Sequence, residues 1–268
     1  MISVLMRLWT LVLVIVTIWS YWYAPELGFA KWWQAVVYVL APASALLGGA
    51  IAVKQYGIHS AQGRILCALT LGVFGWFIGE VLWTYYELVA YTDPYPSLAD
   101  LFYFLSYAAF AVGLVWELKF LRTQAQRARP HVQWPVLALA ATALSGLAIY
   151  FGVFQAIKPS YSWLENAVAI SYGVADIGLI LMGLVITVVT AEMRGGKLAQ
   201  PWWWFFGGIS CIFVADIGFA MFTLQYEQQQ WLYKASLDSL WIAGYLAMAY
   251  GLGRFAVLVH DAQRSVKR

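Results

Sequence analysis

The chain has 268 residues, 63% of them hydrophobic and 11% charged, with a mean hydropathy of +0.71 and a formal net charge of +3. A soluble domain carries about a quarter charged residues, so this balance argues against a disordered chain, a collagen-like repeat and a nucleic-acid platform, and it predicts an integral membrane protein. The two cysteines, Cys67 and Cys211, fall inside apolar runs and give no disulfide framework.

Eight apolar runs, each close to the ~20 residues that carry a helix across hydrocarbon, are predicted at 4–23, 32–53, 64–86, 98–118, 133–154, 163–190, 202–225 and 236–259. The first is kept as a span rather than a signal peptide, because no small-residue cleavage site follows it and Trp19, Trp22 and Tyr23 read as an interfacial anchor. Pro42 lies inside the second run and predicts a kink. The third carries Glu80 and a Gly75-xxx-Gly79 pair that permits close helix approach. Ser97-Leu98-Ala99-Asp100 opens the fourth as a capping box with Ser97 at the N-cap. Asp176 falls within the sixth and Asp216 within the seventh, which begins with the interfacial anchor Trp202-Trp203-Trp204. Asp238 is read as a first-turn carboxylate of the eighth, favoured by the helix dipole. Pro25, Pro94, Pro96, Pro130, Pro159 and Pro201 punctuate the connections.

With the N-terminus placed in the cytoplasm, Arg7, Lys54, Arg64, Lys119, Arg122, Arg127, Arg129, Arg194, Lys197, Arg254, Arg264, Lys267 and Arg268 fall inside, and only Lys31, Lys158 and Lys234 outside. This asymmetry predicts a multi-pass protein of the cell's inner membrane with both termini cytoplasmic.

The third and fourth runs echo the seventh and eighth. At an offset of 136, Gly72, Phe77 and Glu80 meet Gly208, Phe213 and Asp216; at 138, Asp100, Tyr107 and Gly113-Leu114 meet Asp238, Tyr245 and Gly251-Leu252. A weaker match at 132 sets Gln34-Ala35-Val36 on Asn166-Ala167-Val168 and Ser44 on Asp176. The reading is a 4+4 parallel repeat, 1–132 with a basic cytoplasmic linker and 133–268 with a cytoplasmic tail, forming one membrane unit.

Glu80, Asp176 and Asp216 lie within spans where no Lys, Arg or His lies at comparable depth; His59, His131 and His260 all sit at the cytoplasmic side. A carboxylate at the bilayer centre costs about 2.5–3.5 kcal/mol on insertion scales. These acids therefore either glue helices together in neutral, hydrogen-bonded form or line an outward-opening polar pocket. Helical spacing supplies the pocket with walls: Glu80, Trp83, Thr84 and Glu87 share one face, as do Asp100, Tyr103, Phe104 and Tyr107, and Asp238, Trp241, Ile242 and Tyr245. Acids beside aromatics suit a small cation, an amine or a lipid headgroup, and the candidate ligand-binding set is Glu80, Trp83, Asp100, Tyr103, Tyr107, Tyr172, Asp176, Asp216, Asp238, Trp241 and Tyr245. No membrane-depth Lys for a retinal Schiff base, no bis-His pair for haem, no P-loop, no zinc signature and no Ser/His constellation is found, so no cofactor is expected.

The stretch Pro96-Ser97-Leu98-Ala99-Asp100-Leu101-Phe102-Tyr103-Phe104-Leu105-Ser106-Tyr107, with Ser171-Tyr172-Gly173-Val174-Ala175-Asp176 and Asp238-Ser239-Leu240-Trp241-Ile242-Ala243-Gly244-Tyr245, resembles the multi-span sensory regions ahead of bacterial diguanylate cyclases and some histidine kinases. The resemblance runs from about the third span onward. It implies a bacterial membrane sensor that signals at or within the bilayer, here without the output domain of those proteins. Its partners would be the lipid bilayer, a separate cytoplasmic signalling protein and a small cation, amine or lipid; homo-oligomers stay open, and nucleic acid is not expected. Two alternatives stand beside it: a proton- or cation-coupled transporter, which parallel repeats and mid-membrane acids also suit, and an intramembrane lipid hydrolase with paired carboxylates, similar in general plan to the lysoplasmalogenases.

Overall fold

The computed structural model describes residues 2–25, 27–92, 95–128 and 134–266, and among these the side chains other than those of 2–4, 125–128, 193–198 and 260–266. The sequence-level assignments to Pro94, Arg129, Pro130, His131, Lys267 and Arg268, and to the side chains of Arg127, Arg194, Lys197, His260 and Arg264, lie outside the described residues.

Among the described residues all regular structure is helical. In the described residues eight helices are long and apolar enough to cross a membrane: α1 (Leu5–Tyr23), α2 (Ala30–Tyr56), α3 (Ala61–Ala90), α4 (Leu98–Gln124), α5 (Trp134–Phe154), α6 (Trp163–Glu192), α7 (Ala199–Glu227) and α8 (Trp231–Val259). Helical backbone continues from Trp163 to Glu227, yet Gly183 of α6 faces Phe206 of α7, so the run folds back on itself between the two spans. The described connecting residues 24–25, 27–29, 91–92, 95–97, 155–162 and 228–230 share one end of the bundle, called distal here. Met6 against Gly253 brings the beginning of α1 to the last part of α8 at the opposite, proximal end.

Lipid offers no hydrophobic drive between helices, so close contacts fall on small residues. Gly48 of α2 lies on the backbone of Ala249 and Gly253, and Gly49 on Thr70. Along α3, Gly72 faces Phe110, Gly75 faces Ser106 and Gly79 faces the Tyr103 ring, so the Gly75–Gly79 pair does seat α4. The carbonyl of Gly208 in α7 comes within 2.8 Å of a Cβ built on Gly244 in α8. These contacts make a ring in which α2 touches α3 and α8, α3 touches α4, α4 touches α6, and α7 touches α8. The peripheral helices are α1, beside α2 and α8, and α5, beside α6; 22% and 17% of their apolar windows are buried, against 56% and 61% for α3 and α8.

Several boundaries differ from the sequence reading, for identifiable reasons. The helix of α8 begins at Trp231, because its first turn follows the left-handed Gln229 (φ 55°) directly. Asp238 therefore lies two turns inside the helix and is not a first-turn carboxylate. Pro201 sits near the start of α7 within helical backbone rather than in a connection, where the missing amide matters least. The helix α2 runs through Pro42 without ending. Trp203 and Trp204 are exposed as an interfacial anchor requires, but Trp202 is 1% exposed, packed edge-on against Phe205 and Phe255 in the proximal core. A triplet on a helix cannot point one way, since successive residues are turned about 100° apart.

Candidate functional site

Among the described residues, an inner and an outer cavity lie in the distal half. The inner one has about 140 Å³ of accessible volume, room for a small organic molecule or a cluster of about ten waters. It begins at Tyr95 and Tyr161 in the distal connections, whose rings are 6.2 Å apart, and runs inward to Asp176 and Asp216. Burial pushes the Tyr95 phenol well above its ordinary range and that of Tyr161 up to about 12, so both mouth residues stay neutral near pH 7. The outer cavity, about 580 Å³, is a vestibule lined by Lys31, Glu87, Lys234 and Asp238 among others, and shares Tyr38, Trp83 and Tyr226 with the inner one.

The helices bring ten of the eleven sequence-selected residues to the inner cavity: Glu80, Trp83, Asp100, Tyr103, Tyr107, Tyr172, Asp176, Asp216, Trp241 and Tyr245. Asp238 lines the vestibule instead. Thr84 and Glu87, on the Glu80 face of α3, also open into the vestibule, while Phe104 backs the cavity wall by stacking on Tyr172, centroids 4.7 Å apart.

Each acid is held by an aromatic donor from another helix or a distant turn. Tyr107 Oη donates to Asp176 Oδ1 (2.6 Å), Tyr172 Oη to Asp100 Oδ1 (2.6 Å) and Trp241 Nε1 to Asp216 Oδ1 (2.8 Å). Tyr245 Oη donates to Glu80 Oε1 in a short bond, with Tyr103 also in hydrogen-bond reach of that carboxyl. Trp76 stands between Tyr107 and Tyr245, centroids 5.9 and 5.8 Å away, and fixes both rings beneath the acids. Asp100 has two roles at once: Oδ2 accepts from the Ser97 amide (2.6 Å), the return half of the expected capping box, while Ser97 Oγ accepts from the Ala99 amide rather than from that of Asp100, and Oδ1 is left for Tyr172. At about 1.5 Å rise per residue, Glu80, Asp176 and Asp216 lie roughly 15–20 Å from the distal helix ends, near mid-bilayer for a ~30 Å hydrocarbon core.

Asp176 and Asp216 also lie within hydrogen-bond reach of each other. A bond between two carboxyl groups needs a proton on one of them, since an ionised carboxylate only accepts. The two sit in identical pentapeptides, Val174-Ala175-Asp176-Ile177-Gly178 and Val214-Ala215-Asp216-Ile217-Gly218, on adjacent antiparallel helices. That duplication is a sequence signal for the pairing, which the sequence reading did not use. The sequence reading also missed Lys234, which places Nζ 3.0 Å from Glu87 Oε1, 3.8 Å from Asp238 Oδ2 and 4.7 Å from the Tyr226 ring centroid. Tyr226 Oη in turn donates to Asp238 Oδ1 (2.7 Å). The clue was the i, i+4 spacing of Lys234 and Asp238, visible only once α8 is started at Trp231.

Below the acids the bundle is filled. Phe110, Leu114, Leu66, Leu69, Phe205, Trp202, Met248 and Leu252 are each at most 1% exposed. Among the described residues neither cavity is lined by any of these, so both belong to the distal side. No protein-family model, curated protein or solved structure matches the chain.

Proposed function

We propose that the chain is a membrane sensor or ligand-binding module that takes a small molecule from the distal side and passes the change in packing to a separate cytoplasmic protein at the proximal end. The observation that carries this reading is the convergence of four carboxyls and their aromatic donors on one cavity with a packed floor. A transporter needs a second route to the proximal side, and the Phe110–Phe205–Trp202 layer occupies it in this conformation. In this reading distal means extracytoplasmic: Lys31, Lys158 and Lys234 belong to that end and Arg7, Lys54, Arg64, Lys119, Arg122 and Arg254 to the other. In intact cells, with Cys67 and Cys211 replaced by Ala, a cysteine at Lys158 is expected to react with a membrane-impermeant thiol reagent and one at Arg64 only after permeabilisation; the reverse pattern inverts the topology.

The 4+4 repeat is part of the same reading, and contacts at matching offsets support it. Gly72 faces Phe110 as Gly208 faces Met248, and Gly113 faces Leu69 as Gly251 faces Phe205. Tyr103 reaches Glu80 as Trp241 reaches Asp216. The left-handed residues Tyr91 (φ 51°) and Gln229 (φ 55°) end α3 and α7 at equivalent places. A ligand between the halves would bias their relative packing, which is how a two-state element couples a site to a distant surface.

A thermal-shift screen of the full chain in nanodiscs, with amines, divalent ions and lipids, tests the function. At a ligand concentration of about 100 Kd, linkage gives about 2.7 kcal/mol, or roughly 5–10 °C for a chain of this size. That shift is expected for one ligand class and is expected to shrink in Glu80→Gln and Asp216→Asn. No shift with any class, and none altered by the amides, overturns the reading. The Asp176–Asp216 pair favours one second reading, a hydrolase in which one carboxyl activates water and its neighbour protonates the leaving group. Product release from vesicle lipids, lost in Asp176→Asn, would put that reading first.

A further inference from the structure

Resting on the reading of the inner cavity as a ligand site, the lining narrows the class of ligand. Four carboxyls line this cavity and, among the described residues, no Lys, Arg or His does. An anion would find four carboxyls and no cationic side chain there, and the carboxylate of a zwitterion would lack a charged partner in a low-dielectric space. The ligand is therefore a cation or a neutral molecule. A metal ion is the wrong cation: among the described residues no group of three or more His, Cys, Asp or Glu side chains is arranged to hold one, whereas hard ions take six or more oxygens. What surrounds the acids is aromatic, with Trp76, Tyr103, Tyr172 and Trp241 presenting rings, and ring faces attract an ammonium group.

The protein displays this chemistry once already. In the vestibule the Lys234 ammonium is held by two carboxylates and the face of Tyr226. The inner cavity repeats the same partners, acids flanked by tyrosine and tryptophan, and supplies no lysine of its own. We propose that the inner cavity binds a small organic ammonium ion, its nitrogen against the carboxyls that line the cavity and its apolar body against the surrounding rings. Tyr38, Trp83 and Tyr226, common to both cavities, form the wall between the vestibule and the inner cavity. The volume of about 140 Å³ limits it to one ring or a short chain.

Calorimetric titration of the full chain in nanodiscs with phenethylamine, 2-phenylethanol, phenylalanine, magnesium and calcium tests the assignment. Phenethylamine is expected to bind at least tenfold more tightly than 2-phenylethanol, with phenylalanine and both metal ions silent. Glu80→Gln is expected to weaken phenethylamine at least tenfold and 2-phenylethanol by no more than about threefold, a difference that sets loss of charge apart from loss of the cavity. Equal binding of alcohol and amine overturns the ammonium inference while leaving the cavity a ligand site. Metal binding without amine binding, or silence from all five probes, overturns it as well; a positive thermal-shift screen with another ligand class would then keep the broader reading alive.

Discussion

Gly208→Ala is expected to destabilise the bundle by about 1–3 kcal/mol, the range for forcing an extra methyl into a packed core, while Gly207→Ala, one residue earlier in the same helix, is expected to be neutral or slightly stabilising. A Cβ on Gly208 would stand 2.6 Å from the Gly244 carbonyl oxygen and 3.0 Å from the Met248 amide nitrogen. Both are backbone atoms, so no rotamer change relieves the contact, and α7 and α8 must separate. A Cβ on Gly207 meets nothing within 4 Å, so there only helix propensity acts, and alanine is the better helix former by up to about 1 kcal/mol. The consequence reaches the site: Trp241 of α8 donates to Asp216 of α7 about two turns nearer the distal end, and spreading the helices lengthens that bond. Thermal unfolding of both variants in one detergent checks the sign and size. Equal stabilities would mean that α7 and α8 are not in the close contact described.

The fold class and the site lining were legible in the sequence because both rest on one-dimensional signals. Hydropathy marks a span wherever backbone groups must be satisfied internally, and helical periodicity puts Glu80 with Trp83, and Asp100 with Tyr103 and Tyr107, on shared faces before any neighbour is known. Which faces meet is a different question. That Tyr245 serves Glu80 across 165 residues, or that Tyr107 serves Asp176 across 69, depends on the order of helices around the ring. The antiparallel α6–α7 hairpin decides that Asp176 and Asp216 pair, and the duplicated pentapeptide hints at it only when the fold-back is assumed. Trp202 was misread because a Trp-rich helix start signals an interface on average, while one of three successive positions must face the bundle. Asp238 was misread for a boundary error of five residues, which turned a mid-helix acid into an apparent cap and hid its lysine.

Lys234→Met is expected to destabilise the chain by about 2–3 kcal/mol, at or just below the lower limit of the ~3–5 kcal/mol seen when one partner of a buried ion pair is removed. The discount has a structural reason. Glu87 faces the roomy vestibule with 36% of its side chain exposed, and water can take over its carboxylate. Asp238 has no such recourse: its side chain is 3% exposed, and without the ammonium it keeps only the Tyr226 and Tyr21 hydroxyls. Neutralising that one acid should then restore most of the loss, since the amide oxygen of Asn still accepts from Tyr226; Lys234→Met with Asp238→Asn is expected within about 1 kcal/mol of the parent, whereas Lys234→Met with Glu87→Gln recovers less. Chemical unfolding of the three variants separates these terms. A loss below about 0.5 kcal/mol in Lys234→Met would class the contact with exposed surface pairs, and the vestibule lysine would then no longer exemplify how this protein holds an ammonium group. Recovery of Lys234→Ala on adding ethylamine would say the opposite, because an untethered ammonium would be occupying a place built from two carboxylates and a tyrosine face.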